Sequence, residues 1–162
     1  MLKIESDVIQ WANNKGIFQH STPQAQLLKT FEEFGEVCRA SMKRDVDGMI
    51  DGIGDVLVTV IIQCHMHNIS GTVSYLIEKN IDAIKSVRDD GKFDVFDRVT
   101  VLLYTGEFLG MLAGVMDYTD LESVTESVIE AVCGIVAMMA ILADSINTSA
   151  QACLDAAYSV IV

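Results

Sequence analysis

The fold is decided by two short acidic runs, EEFGE at residues 32–36 and DGIGDVLV at residues 51–58. On an α-helix, residues three apart are separated by about 60° around the axis, so the side chains of Glu33 and Glu36 leave the same face. The two aspartates of the second run, four residues apart, do the same. The polar residues between the runs are long enough to connect two antiparallel helices. We therefore expect four carboxylates to converge on one face between two packed helices.

Converging carboxylates indicate a metal site, because they raise one another's pKa unless a cation is present. Hard divalent ions take oxygen ligands and keep positions open for waters and substrate phosphates. We predict that Mg²⁺, with Mn²⁺ as a possible substitute, is held by four residues: Glu33, Glu36, Asp51 and Asp55. The alternative is a solvated acidic face, which is the commoner fate of acidic residues on helices. Apolar residues beside the acids, such as Phe34 and Val56, favour the metal site.

Together with the run STPQAQLLKT at residues 21–30, these runs resemble the MazG-like nucleotide pyrophosphohydrolases. The pattern of that family is Glu-Glu-x-x-Glu followed by Glu-x-x-Asp. The resemblance implies an all-α fold of the four-helix-bundle type. It also implies Mg²⁺-dependent hydrolysis of a nucleoside triphosphate, or a related nucleotide, to the monophosphate and pyrophosphate.

The resemblance assigns roles to the acids. Glu33 and Glu36 match the first pair of metal-binding acids, and Asp55 matches the final aspartate. Glu32 matches the acid before the pair, and it is a candidate for holding or deprotonating the attacking water. The chain departs from the pattern at one position: Gly52 stands where the family has glutamate, and Asp51 is the nearest acid that can substitute.

Further residues are candidates for substrate binding: Trp11, Gln26, Lys29, Asn80, Asp82 and Arg88. Lys29 lies one turn before Glu33, so it can contact a phosphate or serve only as an exposed partner of an acid. Trp11 can stack on a base or pack in the core. Asn80 and Asp82 fall where the family places a further polar residue, and Arg88 falls in its basic tail, although a solvated charge is the alternative for Arg88.

Composition limits the class of protein. The chain has 162 residues, of which 51% are hydrophobic and one is proline, and its formal charge is −12. Long apolar periodic runs with so little proline favour an all-helical protein. Without a basic patch, nucleic-acid binding is not expected. No signal peptide is evident, and the most apolar run, residues 131–142, is too short to span a bilayer, so we expect a cytoplasmic protein with no membrane contact.

The four cysteines occur singly: Cys38, Cys64, Cys133 and Cys153. They are interpreted as reduced core residues. Zinc binding by the run CHMH at residues 64–67 is not favoured, because neighbouring residues on a helix point about 100° apart.

The helix signals are local. Residues 4–14 have the periodicity of an amphipathic helix, which Gly16 ends in a left-handed conformation, and residues 17–21 read as a linker. Thr22 and Pro23 predict the start of a helix that runs to about residue 43. Two more helices are expected, from about residue 46 to 67 and from about residue 70 to 88.

After residue 91 the pattern of the chain begins again, because residues 102–110 parallel residues 27–35 at an offset of 75. We predict one half at residues 1–92 with the intact acidic site, and a degenerate second half at residues 93–162. The offset places Phe108 on Glu33, Met111 on Glu36, Glu126 on Asp51 and Glu130 on Asp55. The chain would then be a tandem duplication forming a single-chain pseudo-dimer, or else a homo-oligomer. Chance agreement between two amphipathic hairpins is the alternative.

Three function classes are consistent with the sequence. The first is a pyrophosphohydrolase with a nucleotide substrate. The second is a noncatalytic nucleotide-binding or interaction module on the same fold, with the metal site weakened by Gly52. The third is a structural helical bundle whose acids keep it soluble.

Overall fold

The computed structural model describes the backbone of residues 1–89, 97–116 and 121–162, and every regular element in these ranges is an α-helix. The side chains at 87, 88 and 121–123 lie outside the description. The helices are α1 (Lys3–Asn14), α2 (Ile17–His20), α3 (Pro23–Met42), α4 (Val46–Met66), α5 (Thr72–Asp89), α6 (Arg98–Gly114), α7 (Leu121–Ser145) and α8 (Ala150–Ile161). The predicted all-α class is confirmed.

The predicted helix starts are confirmed by their caps. Thr22 Oγ1 accepts a hydrogen bond from the amide of Ala25 at 3.1 Å, and Pro23 occupies the first helical position. Gly16 ends α1 with a φ of 76°, in the left-handed region that glycine adopts without strain. At α4, Asp45 supplies the corresponding cap.

The prediction of a linker at residues 17–21 was wrong. Residues 17–20 form the single helical turn α2. The ring of Phe18 packs on His65 with centroids 4.3 Å apart, so a contact distant in sequence holds this turn in place.

Helices α4 and α7 form the centre of the core. Helix α4 packs against α3 on one side and α8 on another, while α7 packs against α6 and α5. Val46–Met66 and Val124–Ser145 are each long and apolar enough to cross a membrane, but 72% and 50% of their most apolar windows are buried inside the protein. The apolar run at residues 131–142 therefore belongs to a longer apolar helix than the sequence suggested.

A buried carboxylate joins the first helix to α5. Glu5, which is 2% exposed, accepts hydrogen bonds from the amide of Gly71 and from the amide and hydroxyl of Ser74, the latter two at 2.8 and 3.0 Å. It therefore caps the amino-terminal turn of α5 from 66 or more residues away, because those amides have no partner within the helix.

The helices of the two halves start at matching positions. Helices α3 and α6 begin at residues 23 and 98, and α4 and α7 begin at residues 46 and 121, an offset of 75 in both cases. The packing is reciprocal as well, since α4 packs against α8 of the second half and α7 against α5 of the first. These correspondences agree with the predicted repeat. Descent from a duplication remains a prediction, and its proposed boundary at residues 92 and 93 lies outside the described residues.

Candidate metal centre

Three carboxylates meet where α3 packs against α4. Glu33, Glu36 and Asp55 each place one oxygen so that all three atoms lie within 4.8 Å of one another. Glu33 and Asp55 are partly buried, whereas Glu36 is exposed. The site is therefore partly buried at Glu33 and Asp55 and open to solvent at Glu36.

Two buried contacts fix how α3 lies on α4 beneath the carboxylates. Thr30 Oγ1 donates to Thr59 Oγ1 at 2.8 Å, one turn from Glu33 on α3 and one turn from Asp55 on α4. Nearby, the absence of a side chain at Gly52 lets Val37 approach, because a Cβ there would lie 2.6 Å from Val37 Cγ2. The two helices are therefore held at a fixed register directly under the acids.

The carboxylates repel one another. Burial, followed by the charges of Asp55 and Glu36, raises the pKa of Glu33 to about 7. Burial, followed by the charges of Asp51 and Glu36, also raises the pKa of Asp55. In the described part of the chain, no lysine or arginine forms an ion pair with these three carboxylates. A set of oxygen donors with uncompensated negative charge is the chemistry that suits a hard divalent cation.

The other two candidate acids, Asp51 and Glu32, lie outside the group of three. Asp51 is exposed one turn before Asp55 and lies outside the group of three, although its charge reaches Asp55. Glu32 is exposed and pairs with Lys29 at 3.7 Å. Position 52, where the family pattern has glutamate, is buried and directed at Val37, so in this chain it serves helix packing.

Helix α8 of the second half forms a wall next to Asp55. A Cβ at Gly54 would collide with the carbonyl oxygen of Cys153 and come within 2.7 Å of Ala157 Cβ, so α8 packs on the bare backbone of α4. A glycine inside a helix is typical of close approach by a neighbour, but the sequence does not identify the segment that approaches Gly54. The two ends of this contact lie about 100 residues apart in the chain, so no local pattern joins them.

The candidate substrate residues are dispersed. Gln26 and Lys29 lie on α3, the helix that carries Glu33, and Gln26 Nε2 donates to Ser21 Oγ at 3.1 Å. Trp11 borders a cavity of about 320 Å³ between α1 and α8, and no acid of the group of three lines that cavity.

The candidates on α5 lie on a helix that packs mainly against α7. Asn80 Nδ2 donates to the carbonyl of Leu76 at 2.7 Å, and Asp82 is exposed. The side chain of Arg88 lies outside the described residues. No described contact brings Trp11, Asn80 or Asp82 to the carboxylates.

In the second half, the position that the offset of 75 matches to Glu33 holds an aromatic side chain. Phe108 stands at the position that matches Glu33, and its ring lies directly against Gly134 on α7, where any Cβ would collide with it. Glu126 and Glu130, which match Asp51 and Asp55, are both exposed. Among the described residues, the second half has no group of three acids comparable to the one in the first half.

The run at residues 64–67 does not form a metal site in the described structure. Cys64 is buried, His65 Nδ1 lies 2.8 Å from Ser70 Oγ, and His67 Nε2 lies 3.1 Å from Gln63 Nε2. The four cysteines are free, as predicted from their isolated positions. Cys64 and Cys153 are buried in the core, whereas Cys38 and Cys133 are only partly buried, so the prediction of core positions is confirmed for two of the four.

Comparison with known proteins agrees with this site. The family model of the MazG nucleotide pyrophosphohydrolase domain matches residues 21–87, which include α3, α4 and all three clustered carboxylates. A protein of Haemophilus phage HP1 (strain HP1c1), named "Uncharacterized 18.2 kDa protein in rep-hol intergenic region", is 29% identical over 118 residues. The alignment covers 72% of this chain and 72% of the phage protein. No solved structure matches the chain.

Proposed function

We propose that this chain hydrolyses a nucleoside triphosphate or a related nucleotide to the monophosphate and pyrophosphate, because residues 21–87 match the family model of the MazG nucleotide pyrophosphohydrolase domain. The single observation that supports catalysis is the group formed by Glu33, Glu36 and Asp55, whose oxygens lie within 4.8 Å of one another. Its net negative charge repels a triphosphate unless a cation is bound, so substrate binding at this place requires a metal ion.

Glu33, Glu36 and Asp55 would hold Mg²⁺, or Mn²⁺ in its place, with Asp51 assisting from the next turn. The ion, when bound, neutralises triphosphate charge and lowers the pKa of coordinated water. Asp51 is suited to an indirect role, because it is exposed and lies outside the group of three.

Two further side chains of α3 act on the reacting groups. Glu32 is exposed beside the cluster, and it accepts the proton of the attacking water. Lys29, whose Nζ lies 3.7 Å from Glu32, exchanges this partner for a substrate phosphate. The pair thus places a base and a cation on the open side of the site.

We place this activity in the cytoplasm, on a free nucleotide, without nucleic acid or membrane as a partner. The negative charge of −12 disfavours a phosphate backbone as ligand. The two apolar helices are accounted for by burial within the protein.

The test is incubation of the purified chain with each nucleoside triphosphate and Mg²⁺, with separation of monophosphate and pyrophosphate from other products. We expect both products from the native chain and at least a 100-fold lower rate from Glu36→Gln, which removes one charge without changing shape. Glu130→Gln is the matched control, since it makes the same change at an exposed position of α7 outside the group of three.

The outcomes separate the function classes. Nucleotide binding without turnover across the panel would favour a noncatalytic module, for which Gly52 in place of the family's glutamate is the supporting observation. Neither binding nor turnover would favour a structural role. Equal rates for Glu36→Gln and the native chain would show that the cluster is not the site.

A further inference from the structure

Gln63, on α4, carries a buried amide whose hydrogen bonds are incomplete. The residue is 1% exposed, and its Oε1 atom accepts no hydrogen bond. Its Nε2 atom lies 3.1 Å from His67 Nε2 and 3.9 Å from Met116 Sδ, and a thioether is only a weak acceptor. Rotating the amide by a half turn exchanges its two polar atoms and still leaves one of them unpaired. A buried polar atom without a partner opposes folding, so this residue requires an explanation other than stability.

Gln63 belongs to a polar band between α3 and α4 that begins at the metal centre. Four buried polar side chains of the described structure form this band: Gln26, Thr30, Thr59 and Gln63. Thr30 Oγ1 donates to Thr59 Oγ1 at 2.8 Å, and Gln26 Nε2 donates to Ser21 Oγ at 3.1 Å. Gln63 lies eight residues after Asp55, which corresponds to two turns, or about 12 Å, along α4. The unpaired amide is therefore at the end of the band that is farther from the acids.

The second half has apolar residues where the first half has this amide and its neighbours. At the offset of 75, the three positions 26, 63 and 67 are matched by Val101, Met138 and Leu142. Val101 and Leu142 are buried, and Met138 packs against the core. Among the described residues, this half also has no group of three acids. In the predicted repeat, the polar side chains thus occur only beside the metal centre, which indicates that they serve the same site.

The surroundings of the amide suit a neutral group with polar edges. His67 is partly buried, and burial lowers its pKa, so its ring is uncharged at pH 7. Met116, the other neighbour, is apolar and flexible. The neutral part of a nucleotide is its base. With the phosphates at Asp55, a nucleotide that lies along the polar band has its base about two helical turns away, which is the distance to Gln63.

We propose that Gln63 recognises the base of the nucleotide substrate, with Oε1 as the acceptor of a hydrogen bond from an exocyclic amino group. This inference rests on the proposed function and adds the class of base. His67 holds Nε2 of the amide, so Oε1 is the atom left for the substrate. The base takes the place of the Met116 side chain, which is partly exposed and can move aside. Cytosine and adenine carry an amino group where uracil and hypoxanthine carry an oxygen, so the site favours the first two.

The test compares nucleotides that differ only at this group: CTP with UTP and ATP with ITP, each in ribo and deoxy form with Mg²⁺. Each pair is supplied as an equimolar mixture, so the ratio of initial rates gives the ratio of kcat/KM. We expect the native chain to favour the amino member of at least one pair by about 10-fold or more. Gln63→Met should reduce this preference to about 2-fold or less. Methionine is similar in size to glutamine, and Met138 stands at the matching position.

Two more variants accompany the test. His67→Leu frees Nε2 and lets the amide rotate, so it should weaken the same preference. Gln10→Met is the matched control, because it makes the same change at an exposed position of α1, and it should leave the preference unchanged. In thermal unfolding followed by circular dichroism, Gln63→Met should be at least as stable as the native chain, because it removes the unpaired atom.

The outcomes separate this inference from the proposed catalysis. If the native chain binds nucleotides without cleaving them, catalysis is contradicted, and the same preference is measured from dissociation constants by equilibrium dialysis with Mn²⁺. Equal values for the two members of every pair would overturn the role of Gln63 alone. A preference that survives both Gln63→Met and His67→Leu would do the same, and a lower stability of Gln63→Met in that case would assign the amide to packing. A chain that binds no nucleotide would overturn both proposals.

Discussion

Replacing Gly52 with glutamate would restore the acid of the family pattern, and we expect it to damage this protein. The position is buried against α3, where a Cβ would lie 2.6 Å from Val37 Cγ2 and 3.4 Å from the Cα and amide nitrogen of Val37. A side chain at 52 therefore enters the packed seam between α3 and α4, against Val37.

The magnitude follows in two steps. Gly52→Ala gains up to about 1 kcal/mol of helix propensity, but overpacking against Val37 costs about 1–3 kcal/mol. The net change is a destabilisation of about 0–2 kcal/mol. Compared with alanine, glutamate adds one more methylene and a carboxylate without a partner, which costs about 2 kcal/mol or more in addition. We expect a total loss of at least about 2 kcal/mol for Gly52→Glu.

The assay is urea unfolding at 25 °C, followed by far-UV circular dichroism, on the native chain and both Gly52 variants. Val37→Ala provides the matched test, because it removes the Cγ2 atom that Gly52→Ala would strike. In a double-mutant cycle, the two alanines together should be more stable than the sum of the single changes by about 1–2 kcal/mol. If Gly52→Glu is as stable as the native chain and binds Mn²⁺ more tightly, position 52 faces the metal and the packing interpretation is refuted.

Three further predictions concern stability. Gly54→Ala should destabilise the protein by about 2–3 kcal/mol in the same unfolding assay. The reason is that its Cβ collides with the carbonyl oxygen of Cys153, a backbone atom that cannot rotate away. Unchanged stability would mean that α8 does not pack on α4 at Gly54. Glu5→Ala should cost about 2–4 kcal/mol, since it leaves three donors without their acceptor. Asp7→Ala on the same helix should change little, because it removes only an ion pair with the exposed Lys3. Without metal, the protein should lose about 1 kcal/mol, after allowance for solvent screening, as the pH rises from 5 to 8. The sign follows because the native state holds the Glu33 proton up to a pKa of about 7, above its ordinary value; a Glu33→Gln variant with the same pH dependence would contradict the assignment.

The parts of the fold that could be predicted from the sequence are those set by local chemistry. Thr22 and Pro23 define the start of α3 because a capping oxygen and a fixed φ act within one helical turn. The convergence of Glu33 and Glu36 follows from helix geometry alone, and Asp55 joins them because a short connection makes the two helices antiparallel. Each of these inferences needs only residues that are close together in the chain.

The missed parts depend on contacts between distant segments. The sequence shows that Gly54 leaves space, but the occupant of that space, Cys153, is decided by how α8 folds back onto α4. The assignment of Asn80 and Asp82 to the site came from the family resemblance and stays a prediction, because the sequence does not show where α5 packs. In the structure α5 packs mainly against α7, and the wall next to Asp55 is α8. A single sequence does not tell whether α5 or α8 packs next to the metal centre on α3 and α4.

The contrast between Glu33 and Phe108 shows how the clustered acids reduce the stability of the folded protein. The predicted repeat matches Phe108 to Glu33. Phe108 covers Gly134 with an apolar ring, while Glu33 is a partly buried carboxylate whose pKa is raised to about 7 by burial and neighbouring charge. A raised pKa means that the ionised acid is less favourable in the folded state than in the unfolded chain. In the predicted repeat, the apolar packing of Phe108 on Gly134 carries no such cost. The first half keeps a cluster of acids that opposes folding in the absence of a cation. Such a cluster is expected where the free energy of metal binding offsets this loss of stability.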